Sequence, residues 1–379
     1  MIMIGCHLKR RSSGNVLPVC NWQGPALFQS ERTGGDHLNL VAPASCKLAA
    51  RFSRPSRSVG ILLNFVLLAA VLLLSGCATA KKISGQPFDF ALIGDVPYDA
   101  EQTTNLFPNM MRELDAAKLE FVVHDGDIKS GSTPCTDEIF EARRKDFANS
   151  AHPFIYVFGD NEWTDCARAT NGFAPEERLQ KLRELFCTDE QSLGKRKLPL
   201  ARQSNDPRFA KFRENVRWEM GGVMFVGLNV PGSINNFGKP EFAERNRANL
   251  AWLQESFAFA KMENARALMI IIQANPLPER GSTNRVHAGF RPLVEALERE
   301  TLAFQKPVVL VHGDSHYFRI DKPLYGAKSK RRIENFTRVE TFGNPDVHWL
   351  RVTVDPSDPE VFTFRPRLVR ENFVKHGTQ

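Results

Sequence analysis

The sequence predicts one α/β domain on a mixed sheet or two packed sheets, and three observations carry that expectation. From residue 88 onward, apolar stretches of strand length alternate with stretches of helical spacing. Four of the strand-length stretches stop on glycine and aspartate. Residues 336–364 then change character, to short β-like stretches separated by Asn, Pro and Asp. Alternation of this kind builds β-α units, and the change near the end adds an antiparallel part.

In order, residues 88–94 read as a strand of period two, 100–117 as a helix and 121–124 as a second strand. A helix over 137–148 and a third strand over 154–158 follow. Pro175 opens a helix over 175–186, with Glu176 and Glu177 in the first turn, where the helix dipole favours negative charge. Residues 188–215 are polar, rich in Lys and Arg and without a period, so a surface loop is expected. The alternation resumes with a strand over 223–230, a helix over 241–262, a strand over 267–272, a helix over 291–302 and a strand over 307–311. Residues 336–342, 347–354 and 361–364 read as antiparallel strands. No internal repeat is visible.

Charge excludes one class of function. Residues 1–77 hold eight Lys/Arg and two acids, leaving 42 and 41 of the chain's 50 basic and 43 acidic residues for the remainder. A nucleic-acid footprint needs basic charge on the folded domain, so no nucleic-acid partner is expected. The high pI belongs to the leader. There, Arg51, Arg54 and Arg57 precede a fourteen-residue apolar run, 61–74, broken only by Asn64. That length suits the core of a signal peptide and falls short of the roughly 20 residues of a spanning helix. The run ends in Leu74-Ser75-Gly76-Cys77, which resembles the lipobox of bacterial lipoproteins. The resemblance implies lipidation at Cys77 and attachment to the cytoplasmic or outer membrane, facing the periplasm. A plain signal peptide cut near Ala78 or Ala80 is the alternative. Residues 1–50 show no consistent period and are read as a leader upstream of the true start, near Val59. The expected organisation is thus 1–50 leader, 51–77 signal peptide, 78–87 linker and 88–370 domain.

The chemistry sits where strands end. The stretches run into Gly94-Asp95-Val96-Pro97-Tyr98, Asp125-Gly126-Asp127-Ile128-Lys129, Gly159-Asp160-Asn161-Glu162-Trp163 and His312-Gly313-Asp314-Ser315-His316. In α/β sheets ligands bind off the carboxyl ends of strands. Several aspartates converging there repel one another unless a cation lies between them. A lone Gly-Asp is more often a turn; the ordered set is the signal. It resembles the motif series of calcineurin-like metallophosphoesterases over roughly residues 88–365. The resemblance implies a four-layer α/β/β/α sandwich of two mixed sheets, and a metal-dependent hydrolase of phosphate mono- or diesters.

Residue by residue, Asp95 matches the family's first aspartate, Asp127 its metal-bridging aspartate and His316 its final histidine. Asp160 falls on an asparagine ligand, and Asp314 on the first histidine of Gly-His-x-His. Pro97 stands where a ligand histidine belongs, and Ala274 aligns with another, with Gln273 and Asn275 beside it. One metal is expected at Asp95, Asp127 and His316, and a second at Asp127, Asp160 and Asp314. A set rich in carboxylate and poor in imidazole points to Mn²⁺ or Mg²⁺ ahead of iron or Zn²⁺. The family's use of such ions is to polarise phosphoryl oxygens and activate a water.

Asn161 falls on the histidine that protonates the leaving group; it belongs to the expected catalytic and substrate-binding set but cannot act as the acid. His124 and His312 are the candidates for that acid, with backbone hydrogen bonding and support of His316 as their alternative roles. Lys129 is read as a phosphate clamp or a solvated loop lysine. Cys135 follows the Asp127 loop and Cys166 the Asp160 loop, so the two are expected to pair, which export permits. Cys187 is read as a small buried hydrophobe, and Trp163 as a packed aromatic. The expected substrate is a small-molecule or lipid phosphoester. The rival function is a degenerate lipoprotein that binds a phosphorylated ligand without cleaving it.

Overall fold

Period-two alternation sorts the strand residues into layers. In β1 (Phe88–Ile93) Phe90 and Leu92 face one core while Ala91 and Ile93 face another. The computed structural model describes residues 85–168, 172–277 and 286–373. The expected leader, the signal peptide, Cys77 and residues 78–84 of the linker lie outside the described residues. Among those described, no helix is long and apolar enough to cross a membrane.

Two mixed sheets form. The first runs β12 (Phe362–Arg367), β11 (Trp349–Val354), β1, β2 (Val122–His124), β3 (Phe154–Tyr156). The second runs β4 (Ala201–Arg202), β5 (Val216–Met220), β6 (Val223–Gly227), β7 (Ala267–Ile271), β8 (Val308–His312), β10 (Phe336–Glu340), β9 (Arg319–Asp321). Between them lies a core of Phe90, Leu92, Val123 and Ile155 against Phe225, Met269, Ile271 and Val311. Helices α1 (Phe107–Ala116), α2 (Asp137–Asn149) and α3 (Pro175–Phe186) cover the outer face of the first sheet through Met110, Leu114, Phe140, Phe147 and Leu182. Helices α4 (Phe242–Met262) and α5 (Arg291–Phe304) cover the second through Trp252, Leu253, Leu293 and Leu297. The result is the α/β/β/α layering that the resemblance implied. β6, β7 and β8 are buried on both faces, hence their continuous apolar sequences.

Two expectations need correction. The last three strands do not form one antiparallel unit. β10 pairs in parallel with β8, whereas β11 and β12 return to the first sheet, β11 lying antiparallel to β1. Strand pairing is a long-range choice, and alternation within a strand does not encode it. The segment expected as a loop at 188–215 is also built in. It contributes β4 at the sheet edge, buries Leu200 and Phe212, and places Glu214 against Arg183 of α3. Several of its charged side chains have partners inside the protein, among them Glu214 with Arg183 and Arg202 with the Asp189 and Arg213 carbonyls.

Candidate metal-binding site

β1, β2 and β3 run parallel, as do β6, β7, β8 and β10, so in each sheet their carboxyl ends open on the same side. The loops leaving these ends bring Asp95, Asp127, Asp160, Asn161, Gln273, Asp314 and His316 together. The glycines of the motifs make this approach possible. A Cβ on Gly159 would overlap the Asp127 carboxylate, and one on Gly313 would overlap that of Asp95. Each glycine therefore makes room for the aspartate of a different motif.

Asp127 is the hub. Its Oδ1 accepts from the Asn161 backbone N–H at 3.1 Å, and its Oδ2 from Asn161 Nδ2 at 2.8 Å, Gln273 Nε2 at 3.2 Å and Tyr98 Oη at 2.9 Å. Both oxygens of Asp95 lie 3.1 Å from the Asp314 N–H. Asp314 also accepts from Gln273 Nε2 at 3.3 Å and from the Asn275 N–H at 3.3 Å. Ser233 Oγ stands 2.7 Å from Asp160 Oδ2 and 2.8 Å from Asp165 Oδ1. Backbone strain concentrates here: φ is +51° at Asp95, +60° at Asp127, +73° at Asp314 and +59° at His316. Left-handed conformations cost non-glycine residues about 1–3 kcal/mol each and gather at functional sites.

Charge is crowded and short of cations. Burial pushes the Asp95 carboxyl well up, as do the negative charges of Asp125 and Asp314. Burial, then Asp160 and Glu162, do the same to Asp127. Asp160 is raised by burial and by Asp314, and Asp314 chiefly by burial. Lys129 faces this group, only 2% exposed, its ammonium bonded to the Ser130 carbonyl at 3.1 Å, and Arg168 pairs with Asp165 at its edge. Burial brings Lys129 down to about 8, against the pull of Glu162 and Asp127. It is therefore no solvated loop lysine.

The donor chemistry fits a hard divalent cation: four aspartates with little positive charge among them, and one imidazole nitrogen aimed inward. Among the described residues, however, no three His, Cys, Asp or Glu side chains come close enough to hold an ion by themselves. The ring is completed by Tyr98, Asn161 and Gln273.

His124 and His312 lie behind this ring and are fully buried. His124 Nε2 reaches the Val96 carbonyl at 3.0 Å, and its Nδ1 accepts from the Gly126 N–H at 3.2 Å. His312 Nδ1 donates to the Gly313 carbonyl at 2.7 Å. Burial holds them neutral, at about 4 and about 3. His124 thus bonds backbone through both ring nitrogens and His312 through Nδ1, while the buried His312 Nε2 has no hydrogen-bond partner among the described residues. Trp163 is fully buried beneath the Arg245 guanidinium, 5.2 Å from its ring, as a packed aromatic.

Cys135 and Cys166 form a disulfide, with their Cα atoms 5.8 Å apart. It joins the segments that follow the Asp127 and Asp160 loops. Cys187 is free and buried, its thiol pushed up to about 11 by burial.

Sequence reasoning missed Tyr98 and Glu162. Glu162 is fully buried; its Oε1 accepts from the Tyr156 hydroxyl at 2.6 Å, the Asp127 N–H at 3.2 Å and the Gly159 N–H, tying two metal-motif loops together. Its signal was its place in Gly159-Asp160-Asn161-Glu162, next to the expected ligands. Tyr98 lies three residues past Asp95, directly after the Pro97 that stands where a ligand histidine belongs.

No family model matches the chain, and no curated protein matches it. Among solved structures it is similar to PhoD, at 13% identity and a TM-score of 0.49 over 71% of this chain. The match spans 64% of the length of the PhoD chain. It is also similar to GAP50, the anchor in the inner membrane complex of Plasmodium, at 11% identity and 0.43 over 74% of this chain and 89% of that one. A third similar structure is purple acid phosphatase PPD1 from yellow lupin (Lupinus luteus) seeds, at 12% and 0.40 over 76% of this chain and 55% of that one.

Proposed function

We propose that this domain is a metal-dependent hydrolase of phosphate mono- or diesters that works in the cell envelope. The observation that carries the reading is the convergence of Asp95, Asp127, Asp160 and Asp314 with His316 at one rim of two sheets, on strained backbone and with too little positive charge of their own. Asp95, Asp127 and His316 would contribute to holding one ion, and Asp127, Asp160 and Asp314 a second, each with further ligands beyond these three, Mn²⁺ or Mg²⁺ being the best fit. Such ions supply Lewis acidity toward phosphoryl oxygens and a water of lowered pKa. The chain's own contribution is placement. Asn161 Nδ2 donates to Asp127 Oδ2 and to Tyr98 Oη and so orients the bridging aspartate, and Lys129 supplies positive charge as negative charge grows on the phosphoryl group. With both nitrogens of His124 engaged by backbone and both histidines buried and neutral, the favoured substrates carry leaving groups that depart without a proton from a histidine, such as aryl phosphates and aryl phosphodiesters.

Elemental analysis of the purified chain beside Asp127→Asn, followed by turnover of aryl phosphates and their diesters with Mn²⁺ or Mg²⁺, tests this reading. Metal bound by the wild type and lost in the variant, with turnover that depends on it, is the expected result. Absence of metal after loading removes it.

One observation favours a second reading. Tyr98 and Gln273 hydrogen-bond the aspartates directly and so offset part of their crowding. A module that binds a phosphorylated ligand without cleaving it would show saturable phosphoester binding and no turnover. The envelope location rests on Leu74-Ser75-Gly76-Cys77 and is tested by detergent-phase partitioning of the native protein, expected to be lost in Cys77→Ala.

A further inference from the structure

Residues 325–332 read Tyr-Gly-Ala-Lys-Ser-Lys-Arg-Arg, a run of cations without an acid in a domain whose charge otherwise balances. Like charges this close repel one another, yet the backbone that carries them is fixed. Tyr325 pairs with Arg332 across a β-bridge. The Gly326 N–H donates to the Arg331 carbonyl at 2.9 Å, and the Lys330 N–H returns to the Gly326 carbonyl at 2.9 Å. Lys330 sits at φ +55°, in the left-handed region. Glu298 of α5 braces the turn, its Oε1 accepting from the Ala327 N–H at 2.8 Å.

The charges on this turn face outward. Lys328, Lys330, Arg331 and Arg332 are all exposed. Arg332 lies over the Tyr325 ring at 5.9 Å and is near Glu334. Lys328, Lys330 and Arg331 form no ion pair among the described residues. Tyr325 is itself 42% exposed. Cations without acid partners around an exposed tyrosine match an anionic lipid surface. Each Lys or Arg gains from the negative potential there, and a tyrosine ring suits the level of the headgroups.

Topology decides how such a contact turns the domain. β10 runs parallel to β8 toward the aspartate rim, and β9 runs antiparallel to β10, away from it. The turn between β9 and β10 therefore lies at the end of the sandwich opposite the rim. Gly85 lies at that end too, where a Cβ on it would meet Pro356, just past β11, and Gly221, between β5 and β6. The segment that carries Leu74-Ser75-Gly76-Cys77 thus joins the domain at the end that bears these cations.

We propose that residues 325–332 dock on anionic phospholipid headgroups and hold the domain on a bilayer with its aspartate rim turned to the aqueous side. The inference rests on the envelope reading above and not on the hydrolase reading. Attachment through an acyl chain becomes stable when a basic patch adds a second contact. In this orientation the rim draws its ligand from solution rather than from the bilayer beneath the domain.

The experiment follows amide hydrogen exchange of the purified full chain on phosphatidylcholine vesicles with and without phosphatidylglycerol. Wild type is compared with a variant combining Lys328→Gln, Lys330→Asn, Arg331→Gln and Arg332→Gln, whose unchanged thermal transition shows that the fold is kept. Slower exchange across 325–332 is expected in wild type only with phosphatidylglycerol, and it should fade in about 1 M salt, where screening acts within about 3 Å. Exchange around Tyr317, exposed beside His316, should stay unchanged. In the variant the lipid needed for half-maximal protection should rise on the order of 10²- to 10³-fold, about fivefold for each cation lost. The apolar run 61–74 can bring the full chain to any vesicle, so protection of the turn is the readout and not binding as such. An unprotected turn in wild type, or equal protection in the variant, overturns the proposal. Protection by soluble polyphosphate with none by vesicles also overturns it, in favour of a soluble polyanion, and protection around Tyr317 overturns the orientation. Detergent-phase partitioning of Cys77→Ala reports on the envelope reading separately.

Discussion

His316 is turned toward Asp95 by Asn344. The Nδ1–H of His316 donates to the Asn344 carbonyl at 3.0 Å, which fixes the ring so that Nε2 lies 3.6 Å from Asp95 Oδ1. A histidine held this way is set to bind metal through Nε2, because the outer hydrogen bond fixes both tautomer and orientation. His316→Ala should lower Mn²⁺ affinity on the order of 10- to 100-fold, and chelation should lower the melting temperature of wild type more than that of the variant. Calorimetry with and without chelator reads both.

Lys129→Met should leave the metal content in place while reducing kcat/KM for phosphoesters on the order of 10²- to 10³-fold, the scale of losing one preorganised group at a developing charge. Elemental analysis beside steady-state kinetics checks it; loss of metal would instead make Lys129 part of the site's scaffold.

Reducing the Cys135–Cys166 bridge, or replacing both cysteines by serine, should cost about 2–4 kcal/mol in denaturant unfolding, since it closes a loop with a sequence separation of 31. Metal affinity should fall as well, because the bridge joins segments leaving two of the motif loops.

The buried pair Arg183–Glu214, joined at 2.6 and 2.7 Å, sets an acid limit to stability. Burial pushes the Glu214 carboxyl up, but the Arg183 guanidinium more than offsets this and leaves it below the ordinary range. A depressed folded-state value means that the unfolded chain binds more protons. The contribution is therefore present above the unfolded value, about 4.3, and lost as pH falls through the folded one. Glu214→Gln should cost about 3–5 kcal/mol near neutrality by leaving Arg183 buried and unpaired, with the difference from wild type shrinking in acid. Urea titrations at several pH values measure it.

Phe225 is fully buried between the sheets, with its ring centroid 5.5 Å from Phe90, 5.3 Å from Phe121 and 5.2 Å from Trp218. Phe225→Ala should cost about 3–5 kcal/mol, read as a lowered denaturation midpoint.

From the sequence alone come the main helices, the central strands and the acidic motif ends, but not β4, β5 or β9. Helix 175–186 is legible from its Pro175 start and its spacing, and Asp95, Asp127, Asp160 and Asp314 from their places after apolar runs, because these signals are local. The Cys135–Cys166 pair was legible from the loops it follows. Which sheet receives β10 and which receives β11 was settled only by tertiary structure, because strand pairing is decided by partners far along the chain. The same holds for the surroundings of His124 and His312, whose burial and backbone hydrogen bonds appear only in the folded chain. Tyr98 and Glu162 show the limit most plainly. Nothing local marks Tyr98 as part of a site, and the place of Glu162 beside Asp160 and Asn161 does not say what its carboxylate binds; both roles come from oxygen atoms brought within about 3 Å of groups on other loops, the distance over which hydrogen bonds act, and only folding creates that proximity.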